Sequence, residues 1–183
     1  MKKTRPTQWF RWQIDGFQKF EAAVANKKKD FLAAVSGGGG KTFWALENAR
    51  RMFAADEIDR VIVVTFTSHL VRQWDECASA MGISLLAVAG NGKLKSGLPD
   101  DVQGYICTYA ALGRMPDLHE TYANECRTLV IFDEIHHLGD VDEKTKQSKW
   151  GDGAKIAFRS VAWRLSLSGT PFRSNASRIP FVE

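Results

Sequence analysis

The sequence predicts an α/β fold: a mainly parallel sheet flanked by helices. Three observations carry that prediction. Short β-branched runs such as RVIVVTF (Arg60 to Phe66) and TLVIFDE (Thr128 to Glu134) show little apolar–polar alternation, the pattern of strands buried on both faces. Longer amphipathic stretches separate them, and strand–helix alternation of this kind points to βαβ units. A glycine cluster, VSGGGGKT (Val35 to Thr42), lies at one strand-to-helix junction.

Taken in order, Trp12 to Ala25 puts Ile14, Phe17, Phe20, Ala23 and Val24 at three- and four-residue spacings, so an amphipathic helix is expected. Lys27, Lys28, Lys29 and Asp30 make a charged, solvated turn before the short apolar strand FLAAV (Phe31 to Val35). Good helix formers follow Thr42 in FWALENARRMFAA, with Phe43, Leu46, Ala49 and Met52 or Phe53 on one side. RVIVVTF is the next strand, and SHLVRQWDECASAMG is a helix stopped by glycine. ISLLAVA, VQGYICTY and TLVIFDE read as strands, AKIAFRSVAWR as a helix and LSLSGT as a last strand. AGNGKLKSG (Ala89 to Gly97) reads as a basic surface turn, and the polar stretch from Gly139 to Gly153 as a mobile surface loop. Tryptophans and phenylalanines at helical spacing are expected in the core. No linker divides the sequence, so residues 1–183 are expected to form a single domain.

With 44% hydrophobic and 25% charged residues over 183 positions, the chain can build a core and is not of disordered composition. A net charge of +4 suits a polyanionic partner without requiring one. Cys77, Cys107 and Cys126 form no CxxC pair, which speaks against a disulfide framework or a zinc knuckle; Cys107, in an apolar run, is expected buried and reduced. The start, MKKTRPTQWF, lacks the apolar segment of a secretion signal, and no run approaches the ~20 apolar residues of a membrane helix. A cytoplasmic protein without a membrane partner is expected.

The glycine cluster could be a flexible spacer, but its neighbours are an apolar strand and an amphipathic helix. That is the setting of a phosphate loop, where backbone N–H groups curl round an anion and side chains would obstruct them. Gly37, Gly38, Gly39 and Gly40 would line it, beside a helix N-terminus with its partial positive charge. Lys41 would reach the β- and γ-phosphates and the Thr42 hydroxyl would coordinate Mg²⁺. The strict pattern GxxxxGK[ST] has glycine where this chain has Val35, whereas Gly37 and Gly39 stand where side chains are commonly tolerated. Downstream, LVIFDEIHH (Leu129 to His137) ends a strand in two carboxylates at the sheet edge where open α/β sheets bind ligands. Asp133 can hold Mg²⁺, directly or through water, and Glu134 can polarise the water that attacks the γ-phosphate.

DEIH at Asp133 to His136 resembles the box of DEAD/DEAH (DExH)-box helicases of superfamily 2. That resemblance implies a RecA-like P-loop NTPase domain, with ATP and Mg²⁺ as its cofactors. Arg11-Trp12-Gln13 resembles the upstream glutamine motif, which makes Gln13 the residue that would read adenine. TFTSHLVRQW (Thr65 to Trp74) resembles motif Ia, with Phe66 where proline is usual, and CTYAAL (Cys107 to Leu112) resembles motif Ib. Thr67 and Thr108 are thereby implied as nucleic-acid contacts. LSGTPFR (Leu167 to Arg173) resembles motif III, where Ser168 and Thr170 would link the nucleotide site to the nucleic-acid groove through His136. The resemblance runs from Arg11 to about Arg173, and in this superfamily the position of Val35 is often not glycine.

Other patterns are weaker. Gly92-Lys93 is followed by Leu94 instead of Ser or Thr, although Lys93 and Lys95 could touch a phosphate backbone. His136-His137 lacks a third metal ligand at a plausible spacing, and DVDEKTKQSKWG lacks the glycine and glutamate of a calcium loop. Asn175 to Ser177 fits a glycosylation pattern, but nothing directs the chain to the secretory route.

Helicases of this superfamily hydrolyse ATP between two RecA-like domains, and the sequence stops about ten residues past the motif III match. The expected function is the ATP-binding domain of a helicase or translocase acting on single- or double-stranded nucleic acid, DNA ahead of RNA. A second RecA-like domain would come from a longer chain or a separate protein. The alternative is a nucleotide-dependent nucleic-acid-binding or regulatory module that unwinds nothing.

Overall fold

A computed structural model describes residues 3–36, 38–88, 90–139, 148–169 and 181. Strands and helices alternate among them: α1 (Arg11–Ala25), β1 (Asp30–Ala34), α2 (Lys41–Ala54), β2 (Arg60–Thr65), α3 (Ser68–Ala80) and β3 (Leu86–Ala87). Then come the single turn α4 (Gly92–Lys95), β4 (Gly104–Thr108), α5 (Tyr109–Arg114), α6 (Pro116–Asn124) and β5 (Thr128–Phe132). A 3-10 turn (Ile135–Gly139), α7 (Ser148–Phe158) and β6 (Trp163–Ser168) complete the order.

The six strands form one parallel sheet in the order β1-β6-β5-β2-β4-β3. The near-continuous apolar runs fill its middle: β5 and β4 are buried throughout, and β2 is buried beyond Arg60. Their successive residues serve opposite faces. Val61, Val63, Leu129 and Ile131 join Phe17, Phe20, Trp44 and Trp74 in one core, under α1, α2 and α3. Ile62, Val64, Val130 and Phe132 join Tyr105, Tyr109, Leu112 and Phe158 in the other, under α5, α6 and α7. Each fully buried side chain of this size contributes about 2 kcal/mol, so a sheet covered on both faces is where these residues must go.

The structure departs from the sequence reading at several elements. Ile14 is 48% exposed, outside the buried stripe of α1 formed by Gln13, Phe17, Phe20 and Ala23. ISLLAVA pairs with β4 over Leu86 and Ala87 alone. The stretch Ala89 to Gly97 holds the helical turn α4, whose Leu94 is fully buried, so it is not merely a surface turn. AKIAFRSVAWR is not one helix: α7 ends at Phe158 and Trp163 already belongs to β6. Arg164 explains the break. Its guanidinium donates to the carbonyls of Phe158 (2.8 Å) and Arg159 (3.1 Å), closing the helix end. It also grips Asp30, its register partner on β1, through both oxygens at 2.6 and 2.8 Å. Of the polar stretch Gly139 to Gly153, residues from Ser148 onward are helical, and 140–147 lie outside the described residues. Among the described residues no helix is long and apolar enough to cross a membrane.

Candidate functional site

With all strands parallel, the loops after β1, β5 and β6 open at one edge of the sheet. The chain crosses from β1 to β2, beyond β6 and β5, and later returns through β5 and β6 to meet β1. A reversal of strand order of this kind leaves a crevice at the carboxyl ends. Val35 N–H donates to Ser168 O at 2.9 Å, which ties the first of these loops to the last.

The glycine loop fills one wall. Gly40 is the N-cap of α2 at a φ of 79°, a left-handed conformation in which an L side chain costs about 1–2 kcal/mol. The amides of the first turn of α2 have no acceptor within the helix and are presented to the crevice side of the loop. Gly39 is required for a different reason, contrary to the expectation that a side chain is tolerated there. A Cβ at 39 would lie 2.9 Å from Val35 Cγ1 and 3.2 Å from Ser36 O. Val35, where the strict pattern has glycine, occupies the space a residue at 39 would need, so the two departures offset each other. Gly37 lies outside the described residues.

Lys41 and Thr42 open α2, Lys41 at 8% exposure and Thr42 half-buried. The Lys41 ammonium donates to Glu134 Oε1 at 2.5 Å, across 93 positions of sequence. Glu134 Oε2 accepts from the Gly169 N–H at 2.9 Å, and His136 Nδ1 lies 3.4 Å from the same oxygen. Glu134 itself has a φ of 51°, a strained turn that aims its carboxylate at these partners. Burial alone would raise its carboxyl, but the Lys41 hydrogen bond and the Gly169 N–H outweigh burial and hold it below the ordinary range. His136 Nδ1 also lies 3.1 Å from Ser168 Oγ. The structure therefore brings Lys41, Glu134, His136 and Ser168 into one cluster, whereas Thr170 lies outside the described residues.

Asp133 is 7% exposed. Its backbone N–H donates to Val64 O, and the Trp74 indole N–H donates to its Oδ2 at 2.8 Å. Burial is the largest influence and raises its carboxyl; the Trp74 N–H opposes that and the Glu134 charge adds to it. Oδ1 has no hydrogen-bond partner among the described residues. A buried carboxylate with one oxygen unpartnered among the described residues is a hard-oxygen donor of the kind Mg²⁺ takes.

Gln13 is 2% exposed and belongs to the same wall. Its Oε1 accepts from Phe10 N–H at 2.8 Å, closing the start of α1, and its Nε2 donates to Gly40 O at 3.2 Å. Trp44 Nε1 donates to the Gln13 carbonyl at 3.1 Å. Thr67 and Thr108 stand further along the same sheet edge. Each is an N-cap: Thr67 Oγ1 accepts from Leu70 N–H at 3.3 Å, and Thr108 Oγ1 from Ala111 N–H at 3.1 Å. Phe66, in place of the usual proline, stacks on His137 with ring centroids 4.0 Å apart.

The family model for "Type III restriction enzyme, res subunit" matches residues 7–173. The chain belongs to that family. An uncharacterized protein of Mycobacterium tuberculosis is 40% identical over 159 residues, covering 87% of this chain and 25% of that protein. One of Mycobacterium leprae is 37% identical over 171 residues, covering 93% of this chain and 27% of that protein. The chain spans about a quarter of the length of these relatives. Among solved structures, the Sulfolobus solfataricus SWI2/SNF2 ATPase core in complex with dsDNA superposes with a TM-score of 0.70 at 20% identity, covering 93% of this chain and 34% of that one. The Type ISP restriction-modification enzyme LlaBIII bound to DNA gives 0.68 at 17%, covering 91% and 13%. The UvsW helicase from Bacteriophage T4 gives 0.62 at 16%, covering 96% and 58%. Family and fold together identify a RecA-like domain of the helicase type of superfamily 2.

Two residues of this site carry no functional signature in the sequence: Trp74 is expected in the core and Tyr109 in a strand. One signal was available: a tryptophan buried among apolar neighbours still needs an acceptor for its N–H. The partner, 59 positions away, is visible only in the fold.

Proposed function

We propose that this chain is the ATP-binding half of a nucleic-acid helicase or translocase that binds Mg²⁺-ATP and hydrolyses it together with a second RecA-like domain. One observation carries the reading: Glu134 reaches both the phosphate-loop lysine and the loop after β6. A carboxylate placed there serves a water-directed reaction at a terminal phosphate.

In this reading a phosphate exchanges with Glu134 as the partner of Lys41, and the backbone amides at the start of α2 hold the remaining oxygens. Glu134, released from the ammonium, orients and polarises the attacking water. Asp133 and Thr42 would hold Mg²⁺, which supplies charge neutralisation on the phosphates. Gln13 would present its carboxamide to adenine from the wall it already braces. The nucleic acid would run along the edge formed by the α3 and α5 starts at Thr67 and Thr108, and the DNA in the SWI2/SNF2 and LlaBIII structures favours DNA as the partner. His136 and Ser168, with Thr170, would relay between the two.

Glu134→Gln tests the assignment, since it keeps the shape and removes the base. With a complementary RecA-like domain and DNA present, turnover should fall at least about a hundred-fold. Nucleotide affinity should hold or tighten, because glutamine grips Lys41 less strongly. Unchanged turnover would refute hydrolysis at this residue and leave the regulatory binding module as the reading.

A further inference from the structure

Two helices begin at the threonines placed on the nucleic-acid edge, and both reach back to the same aspartate. α3, capped by Thr67, carries Trp74 two turns later, and its indole N–H donates to Asp133 Oδ2 at 2.8 Å. α5, capped by Thr108, begins with Tyr109, and its hydroxyl donates to the Asp133 backbone carbonyl at 2.9 Å. Both side chains are fully buried, and so are both hydrogen bonds. We infer that Trp74 and Tyr109 are positioning residues that couple the nucleic-acid edge to the metal-binding carboxylate of Asp133, independently of the His136–Ser168 contact.

The geometry suits that role. An indole N–H on Oδ2 fixes the rotation of the carboxylate and leaves Oδ1 for a cation, as outer-shell donors orient ligands in metal sites generally. Tyr109 fixes the depth of the backbone at the same residue, and Val64 O anchors its N–H from β2 at 2.9 Å. A helix transmits axial shifts with little loss, so a displacement of the α3 start on contact with a phosphate backbone is felt at Trp74. Both side chains are held in the core: Trp74 is clustered with Val71, Cys77 and Ile131, and Tyr109 stacks near Phe132 at 6.5 Å. The inference rests on the function proposed above for Asp133, Thr67 and Thr108.

Trp74→Phe removes the N–H and keeps most of the ring; Tyr109→Phe removes only a hydroxyl. In each, the affinity for a fluorescent ADP analogue is measured against Mg²⁺ concentration, with and without a short DNA duplex or its single strand. The indole N–H resonance of Trp74, assigned by its loss in Trp74→Phe, is followed by NMR in the unaltered chain. The Mg²⁺ needed for half-maximal binding should rise about ten-fold or more in Trp74→Phe, with metal-free affinity within two-fold. DNA should alter nucleotide affinity in the unaltered chain and do so at least three-fold less in both variants. The Trp74 resonance should move with Mg²⁺ plus nucleotide, and again with DNA. A purely structural role would lower the melting temperature while leaving the Mg²⁺ requirement and the DNA effect intact, and that result overturns the inference. Should Trp74→Phe not fold, an undiminished DNA effect in Tyr109→Phe overturns it equally. If the unaltered chain binds neither nucleotide nor DNA, the functional reading itself fails and the inference falls with it. Binding of both without coupling spares that reading and overturns this inference alone.

Discussion

Acidification should weaken this protein through one histidine. His119 has no exposed surface, and burial pushes its imidazole pKa down to about 4, opposed only in part by the backbone at Ala111. Asn91 Nδ2 donates to Ala111 O at 2.9 Å, so Asn91 Oδ1 is the acceptor facing His119 Nε2 at 3.3 Å. The proton therefore sits on Nε2, and Nδ1 accepts from the Tyr105 hydroxyl at 2.9 Å. A second proton would turn Nδ1 into a donor and leave the Tyr105 O–H without its acceptor. In the unfolded chain the imidazole titrates near its ordinary value of about 6.5. Between those two values the unfolded chain holds a proton that the folded chain refuses, so stability falls as pH drops. The full difference is about 3 kcal/mol, of which about 2.5 kcal/mol is lost by pH 4.5, a large share of the ~5–15 kcal/mol stability of an ordinary domain. Urea unfolding followed by tryptophan fluorescence at several values between pH 7 and 4.5 measures it. Carboxylates also titrate in that range, so the test is the difference from His119→Gln, which should lose about 2.5 kcal/mol less across the same interval. Equal losses in the two proteins would refute the argument.

Gly40→Ala should cost about 2 kcal/mol, from the left-handed φ of 79° and the 2.9 Å approach of its Cβ to Gln13 Nε2, and should weaken nucleotide binding measurably. Gly82→Ala, with a φ of 72° but nothing within 4 Å, should cost about half as much and leave nucleotide affinity alone; calorimetry and the fluorescent nucleotide titration separate the two. Asp30→Ala strands the Arg164 guanidinium, which is 6% exposed, and should cost about 2 kcal/mol in urea unfolding, less than a deeply buried pair because the Asp30 side chain is 41% exposed. Adding Arg164→Leu should restore part of that loss.

The strands and the two chemical motifs were legible because each is a local pattern. A β-branched run buried on both faces looks the same whatever pairs with it, and a strand–glycine–helix junction carries its own geometry. Partnership was not legible. The end of α7 is set by Arg164, whose grip on Asp30 spans 134 positions, so AKIAFRSVAWR read as continuous helix. α5 and α6 carry start signals, Thr108 as a cap and Pro116 in the first turn of α6, but at 6 and 9 residues they are too short to show a clear helical period. ISLLAVA looked like a full strand, yet it lies at the sheet edge and pairs over two residues, since one neighbour holds only what β4 offers. The glycines show the same limit: Gly39 looked permissive because Val35, four positions away, is seen against it only in three dimensions.

The charged and polar groups of the site already satisfy one another: Lys41 with Glu134, Asp133 with Trp74, Gln13 with Gly40 and His136 with Ser168. Binding in such a site is an exchange of partners. A phosphate at Lys41 gains an ammonium but must displace a carboxylate, so the net free energy is smaller than the direct contact suggests. The carboxylate so displaced is the group proposed to act on water, and it also accepts from the N–H of Gly169, within LSGTPFR just past β6. Occupation of the phosphate loop would then release the base and loosen the β6 loop in the same event. In the proposed reading, a reduced affinity and a rearranged site would both follow from this one ion pair, as a motor domain requires, because a nucleotide can shift an equilibrium only where it meets the two states with different contacts.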